Sequence, residues 1–165
     1  MKKILSAAMI LLLLSACTVQ KAVDPVIFVD RLEENEAFIA DKETMHFDGN
    51  VCALFLDYKS ELRIATEMTV TENGTVSTIA LSAKSLNNDL FLEAVEKIIK
   101  IYAPDEDFAI NESFFTDRYT YNETASYLYS GYKDNETVFF SVTNKNLAPP
   151  ETPELTLRAE TTAKN

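Results

Sequence analysis

The sequence predicts an α+β fold: a single antiparallel β-sheet of about five strands with one or two helices packed on one face. Three observations carry this. Asn73-Gly74 stands between two runs of alternating apolar residues, a strong short-range hairpin signal. Leu90, Phe91, Ala94, Val95, Ile98, Ile99 and Tyr102 recur at helical spacing with Glu93, Glu96, Lys97 and Lys100 between them, and Pro104 ends the run. Tyr127 to Tyr132 and Thr137 to Thr143 form a second alternating pair across Lys133-Asp134-Asn135-Glu136.

In chain order, Asp24-Pro25 suits a helix start, with aspartate as N-cap and proline at the first helical position. Phe28, Val29, Leu32, Ala37 and Ile39 fit one apolar stripe, with Asp30, Glu33, Glu34 and Glu36 toward solvent, although Val26 to Val29 would also suit a strand. Val51 to Tyr58 supplies a further strand. A two-residue type I′ turn at Asn73-Gly74 pairs Glu72 with Thr75. That register sets Met68 opposite Ile79, Thr66 opposite Leu81 and Ile64 opposite Ala83, so turn and apolar alternation agree. Asn87-Asn88-Asp89 offers capping residues for the helix that follows, whose apolar face is wide enough to lie on a sheet.

Residues 108 to 140 hold ten of the seventeen aromatics, so the second hairpin is read as cross-strand aromatic packing, with an exposed aromatic binding face as the alternative. Val138, Phe140 and Val142 alternate inward. The division along the chain is then 1–16 as a signal peptide, 17–23 as a tether and 24–145 as one α+β domain. Residues 146–165, Pro- and Thr-rich, are expected to be largely disordered, with Leu155 to Leu157 as a short candidate strand.

Met1-Lys2-Lys3 precedes an apolar stretch from Ile4 to Leu14, too short to cross a bilayer, which needs about 20 residues. It ends in Leu14-Ser15-Ala16-Cys17, which resembles the lipobox of bacterial lipoproteins: a branched apolar residue, two small residues and the cysteine that takes lipid. The resemblance implies cleavage before Cys17, which becomes the lipidated N-terminus. Two or three acyl chains hold a protein where one binds only marginally. Thr18 follows rather than the aspartate that retains many Gram-negative lipoproteins at the inner membrane. The implied location is therefore the cell membrane or outer membrane, lipid-anchored and facing outside the cytoplasm.

Without residues 1–16 the chain has 13 Lys and Arg against 26 Asp and Glu, a net −13. Such a charge repels nucleic acid and phospholipid head groups, so no nucleic-acid partner is expected. A partner guided by charge would be a cationic envelope or exported protein; the simpler reading is that acidity keeps an exported protein soluble. With Cys17 lipidated, Cys52 is the remaining thiol, set in Val51-Cys52-Ala53-Leu54-Phe55-Leu56 and read as a small buried hydrophobe rather than a reactive group. The sequons at Asn73, Asn111, Asn122 and Asn135 are read as turn residues in a bacterial chain.

The scarcity of chemistry-bearing residues points away from an enzyme. His46 is the sole histidine, no serine or cysteine forms a nucleophile motif with it, and one histidine with one thiol cannot close a zinc site without carboxylates. Asp105-Glu106-Asp107 with Asn111 and Glu112 has the oxygen content of a calcium loop but lacks the glycine its turn needs. No catalytic residue, metal or cofactor is assigned; a carboxylate enzyme is the third class in view. The leading expectation is a non-enzymatic protein-binding or envelope-assembly module. The second is an acidic inhibitor of a cationic exported enzyme such as lysozyme. Tyr129-Ser130-Gly131-Tyr132 is similar over four residues to the Ser-Gly loop of membrane-bound lysozyme inhibitors, without the paired cysteines that belong with it. Replacing Cys17 with serine is expected to move the protein out of the membrane fraction with its fold intact. Retention on membranes in high salt, with unchanged processing, would count against lipidation.

Overall fold

The computed structural model describes residues 23–84, 88–110, 114–115, 119–134 and 136–147. Cys17, the signal segment, Asn87, Asn111, Asn135 and Leu155 to Leu157 lie outside these. The order is α1 (Pro25–Glu33), β1 (Phe38–Asp48), β2 (Val51–Tyr58), β3 (Leu62–Val70), β4 (Val76–Lys84), α2 (Asn88–Tyr102), β5 (Thr120–Glu123), β6 (Tyr127–Lys133) and β7 (Thr137–Asn144). All seven strands form one antiparallel sheet in the order β1-β2-β3-β4-β7-β6-β5. The α+β class agrees with the sequence, but the sheet has two strands more than expected, one at each edge.

Both extra strands escape a pattern search because an edge strand needs little apolar alternation. β5, Thr-Tyr-Asn-Glu, buries none of its four residues. β1 begins with the residues that extended the apolar stripe of the first helix. That helix stops at Glu33, so Ala37 and Ile39 do not belong to it, and Ile39 points outward with 54% exposure. At the helix start the Asp24 carboxylate accepts from the backbone N–H of Val26 at 2.8 Å and of Ile27 at 3.4 Å, the capping expected of Asp-Pro.

The β3–β4 hairpin corrects the turn and keeps the register. Only Gly74 has positive φ (+77°), and its N–H donates to Thr71 C=O at 2.9 Å, while Thr71 N–H donates to Thr75 C=O at 2.8 Å. The loop is therefore three residues, closed by Thr71 and Thr75, in place of the two-residue type I′ turn. Met68 still faces Ile79 and Thr66 still faces Leu81 because a bulge between Thr69 and Val70 and their partners returns the slipped residue. The bulge turns Val76 and Ser77 inward in succession, both buried. It also frees the Val76 peptide groups: the N–H donates to Val23 C=O at 2.9 Å and the C=O accepts from Tyr102 Oη at 3.0 Å. Val23, which the sequence placed in the tether, is thereby buried.

α2 covers the inner face as its spacing predicted, burying Phe91, Ala94, Val95, Ile98, Ile99 and Tyr102. Tyr102 makes edge contacts with Phe28 of α1 (5.9 Å) and Tyr127 of β6 (5.8 Å). From Tyr127 the rings continue through Tyr129, stacked on Phe108 at 3.8 Å, to Phe114, Phe115 and back to Phe91 of α2. Gly131 makes room for this: a Cβ there would stand 2.6 Å from Phe114 Cδ1 and 2.8 Å from Phe114 O. Most of the aromatic-rich segment is thus core packing, as the sequence suggested. Asn73 lies in a turn, but Asn122 is a residue of β5 rather than of a turn.

Gly74 and Gly131 separate two costs. A Cβ added at Gly74 meets no atom within 4 Å, so the cost of Gly74→Val is chiefly the backbone strain of a β-branched residue at positive φ, about 1–2 kcal/mol. Gly131→Ala forces Phe114 to move and should cost about 1–3 kcal/mol. Urea titration checks both, and an unchanged midpoint for either variant would contradict the cost assigned to it.

The open face as a candidate functional site

Strand alternation divides the sheet cleanly. Cys52, Leu54, Leu56, Tyr58, Leu62, Ile64, Met68, Ile79, Leu81, Ala83, Tyr127, Tyr129, Val138, Phe140 and Val142 point to the helices and are buried. The residues between them form a second face that no described element covers. Hydrogen-bonded register sets its side chains in rows. One row runs Asp41, Phe55, Ala65, Ser82, Phe139, Tyr132 across β1, β2, β3, β4, β7 and β6. The next runs His46, Ala53, Glu67, Ala80, Ser141, Ser130, Tyr121, ending on β5.

Two phenyl rings therefore stand on either side of a floor of small residues. Phe55 and Phe139 are 39% and 40% exposed and three strand spacings apart, about 14 Å. Tyr132 backs Phe139, ring centroids 6.1 Å apart. The Arg63 guanidinium lies over Phe55 at 4.5 Å and is held by Asp41 at 2.6 Å and Asp57 at 3.5 Å. Beside it a depression of about 530 Å³ is lined by Phe55, Glu61, Arg63, Ala65, Ser82 and Thr137 among others. Cross-strand hydroxyl pairs, Ser130 with Ser141 at 2.6 Å and Thr78 with Thr143 at 3.1 Å, complete the far side of the floor. Glu67 makes no ion pair among the described residues.

Of the residues singled out by sequence, His46, Ser130 and Tyr132 lie on the open face and Cys52 does not. Cys52 is fully buried on the inner face, and burial pushes its thiol pKa up, keeping it protonated and unreactive at neutral pH. His46 sits exposed on edge strand β1, its Nδ1–H donating to Thr44 C=O at 2.9 Å. Tyr129 to Tyr132 are mid-strand in β6, with Tyr129 and Gly131 turned inward, so the residues similar to a Ser-Gly loop form no loop here. Burial raises the pKa of the Tyr58 hydroxyl, which Glu93 reinforces, and of Tyr102 and Tyr129, so these phenols stay neutral as core residues. No three His, Cys, Asp or Glu side chains converge as metal ligands among the described residues. Comparison with protein-family models, with curated proteins and with solved structures gave no match.

Sequence reasoning had weighed exposed aromatics only in the segment after α2. It missed Phe55, because Val51 to Tyr58 reads as one apolar run. The signal that could have found it is parity: Leu54 and Leu56 share a face with Tyr58, which sends Phe55 to the other.

Neighbouring phenylalanines on β7 test the division. Phe140→Ala should destabilise by about 3–5 kcal/mol, as truncation of a buried ring does. Phe139→Ala should change stability by less than about 1 kcal/mol. Equal losses in thermal melts would show that both rings are core.

Proposed function

We propose that the chain is a lipid-anchored, non-enzymatic module that works outside the cytoplasm by presenting the open face of its sheet to a protein. The observation that supports the binding reading is the pair Phe55 and Phe139. Two phenyl rings raised over small residues on a face opposite the core carry a cost in solubility that a purely structural face avoids. The anchoring reading rests on Leu14-Ser15-Ala16-Cys17 and the segment before it. Together they describe a domain held near the membrane by a short tether, which raises its local concentration for anything it meets there.

Binding of a flat protein surface suits this geometry better than a small molecule, which calls for a concave site that encloses most of its ligand. The phenyl walls, the cross-strand hydroxyls and the rim carboxylates Asp41 and Asp57 match the apolar centre and polar rim of protein interfaces.

The two halves separate in one experiment. With lipidation intact, Phe55→Ser/Phe139→Ser should remain in the membrane fraction and keep its melting temperature, yet lose the adducts that a surface cross-linker forms with the parent protein in intact envelopes. Adducts that persist unchanged in the double variant would sink the open-face reading while leaving the anchor untouched.

A further inference from the structure

The two central rows of the open face are complementary to each other, strand by strand. On β2, Phe55 in the first row is followed two residues away by Ala53 in the second. On β3 the small residue comes first, Ala65, with Glu67 in the second row. On β7 and β6, Phe139 and Tyr132 in the first row answer Ser141 and Ser130 in the second. On β4 both positions are small, Ser82 and Ala80. A half-turn about an axis lying along the rows, midway between them, exchanges the two rows and presents each strand to itself. On β2, β3, β7 and β6 each large side chain of one copy then faces a small one of the other, Phe55 over Ala53, Glu67 over Ala65, Phe139 over Ser141 and Tyr132 over Ser130; on edge strand β1 Asp41 meets His46, and the exposed Tyr121 of β5 lies outside this pattern.

We propose that the open face is the contact between two copies of this chain, packed sheet on sheet about that twofold axis. The inference rests on the reading of the open face as the binding surface and names its occupant. A twofold contact uses the same patch on both subunits and so requires self-complementarity of this kind. Strands that cross at about 30° in aligned sheet packing are compatible with an axis perpendicular to them. Area agrees: seven strands spaced about 4.8 Å and about 24 Å long present roughly 800 Å², which is what each side of a specific interface of standard size buries. Charge agrees locally. Glu67, without an ion pair among the described residues, comes diagonally opposite Arg63 of the second copy, and the pair occurs twice.

The global charge opposes the contact, and that gives it a signature. Two chains of net −13 repel, so association strengthens as salt shortens the screening length from about 30 Å at 0.01 M to about 8 Å at 0.15 M. A cationic partner would show the reverse dependence.

The test uses the full-length chain in isolated membranes with Ala80→Cys as the single accessible thiol and a short bis-maleimide as cross-linker. The parent, whose Cys52 is buried, and Glu36→Cys, in the exposed turn before β1, serve as controls. A species of twice the chain's mass is expected with Ala80→Cys alone, its yield rising with salt. Adding Ser141→Trp or Ala53→Trp should return it to the control level, because the indole fills the space that Phe139 or Phe55 of the second copy enters. The two blocking variants act on different strands, so a folding failure in one leaves the other. An adduct of another mass that weakens with salt would overturn self-association and leave the binding face standing. Complete labelling of Ala80→Cys by a monofunctional maleimide, with no adduct of any mass, would overturn both.

Discussion

The bulge at Val76 is the point on which the two layers depend. In a regular ladder the N–H and C=O of one residue are spent on neighbouring strands or turned to solvent. Here the slipped register releases both toward the helical side. One fixes Val23, the residue before the cap of α1; the other receives the hydroxyl of Tyr102 in the last turn of α2. A single strand residue thus sets where the first helix enters and where the second ends. Tyr102 passes the constraint on, because its ring touches Phe28 of α1 and Tyr127 of β6. A buried tyrosine is kept when its hydroxyl finds a partner and its ring fills the core, and this one does both.

From that anchoring follows the asymmetry of the sheet. Once both helices and the ring chain from Phe108 to Phe115 are committed to one face, none of the described elements is left for the other. That second face is kept soluble by its composition. Alanine and serine lie at its centre, hydroxyls pair across β6 and β7 and across β4 and β7, and an arginine between two aspartates covers one phenyl ring. Each pair contributes little, roughly 0.2–1 kcal/mol, but together they replace exposed apolar area with satisfied polar groups.

Much of this was legible in the residues, and the parts that were not have physical causes. Local chemistry read well: the Asp24 cap, the α2 spacing, the inward side of β7 and the pairing of Met68 with Ile79 follow from short-range preferences and from periods of 3.6 and 2. Part of what failed depended on partners remote in sequence. Ile39 looked helical because its seven-residue spacing from Leu32 fits two turns of helix, while its real neighbour, Asp57, lies across the next hairpin turn. The turn at Gly74 was misjudged because the loop and the compensating bulge cancel, so the core pairs carry no trace of either. Phe55 as an open-face residue was hidden inside an apolar run, since both faces of β2 are hydrophobic there. Gly131 was noticed for a resemblance when its meaning is steric and set by Phe114, seventeen residues away.

The insertion in β1 has a consequence for how copies of the chain can meet edge to edge. Between Asp41 and His46 the strand carries three residues more than β2 needs. Thr44 closes the gap with its hydroxyl, which donates to Asp41 C=O and accepts the Phe55 N–H, and Lys42 is drawn to Asp30 and Glu33 of α1. The opposite border, β5, is only four residues long. A sheet that offered straight, unpaired borders would recruit its neighbours side by side into ribbons. A kinked border and a stunted one make the sheet a finite tile, poorly shaped for lateral growth.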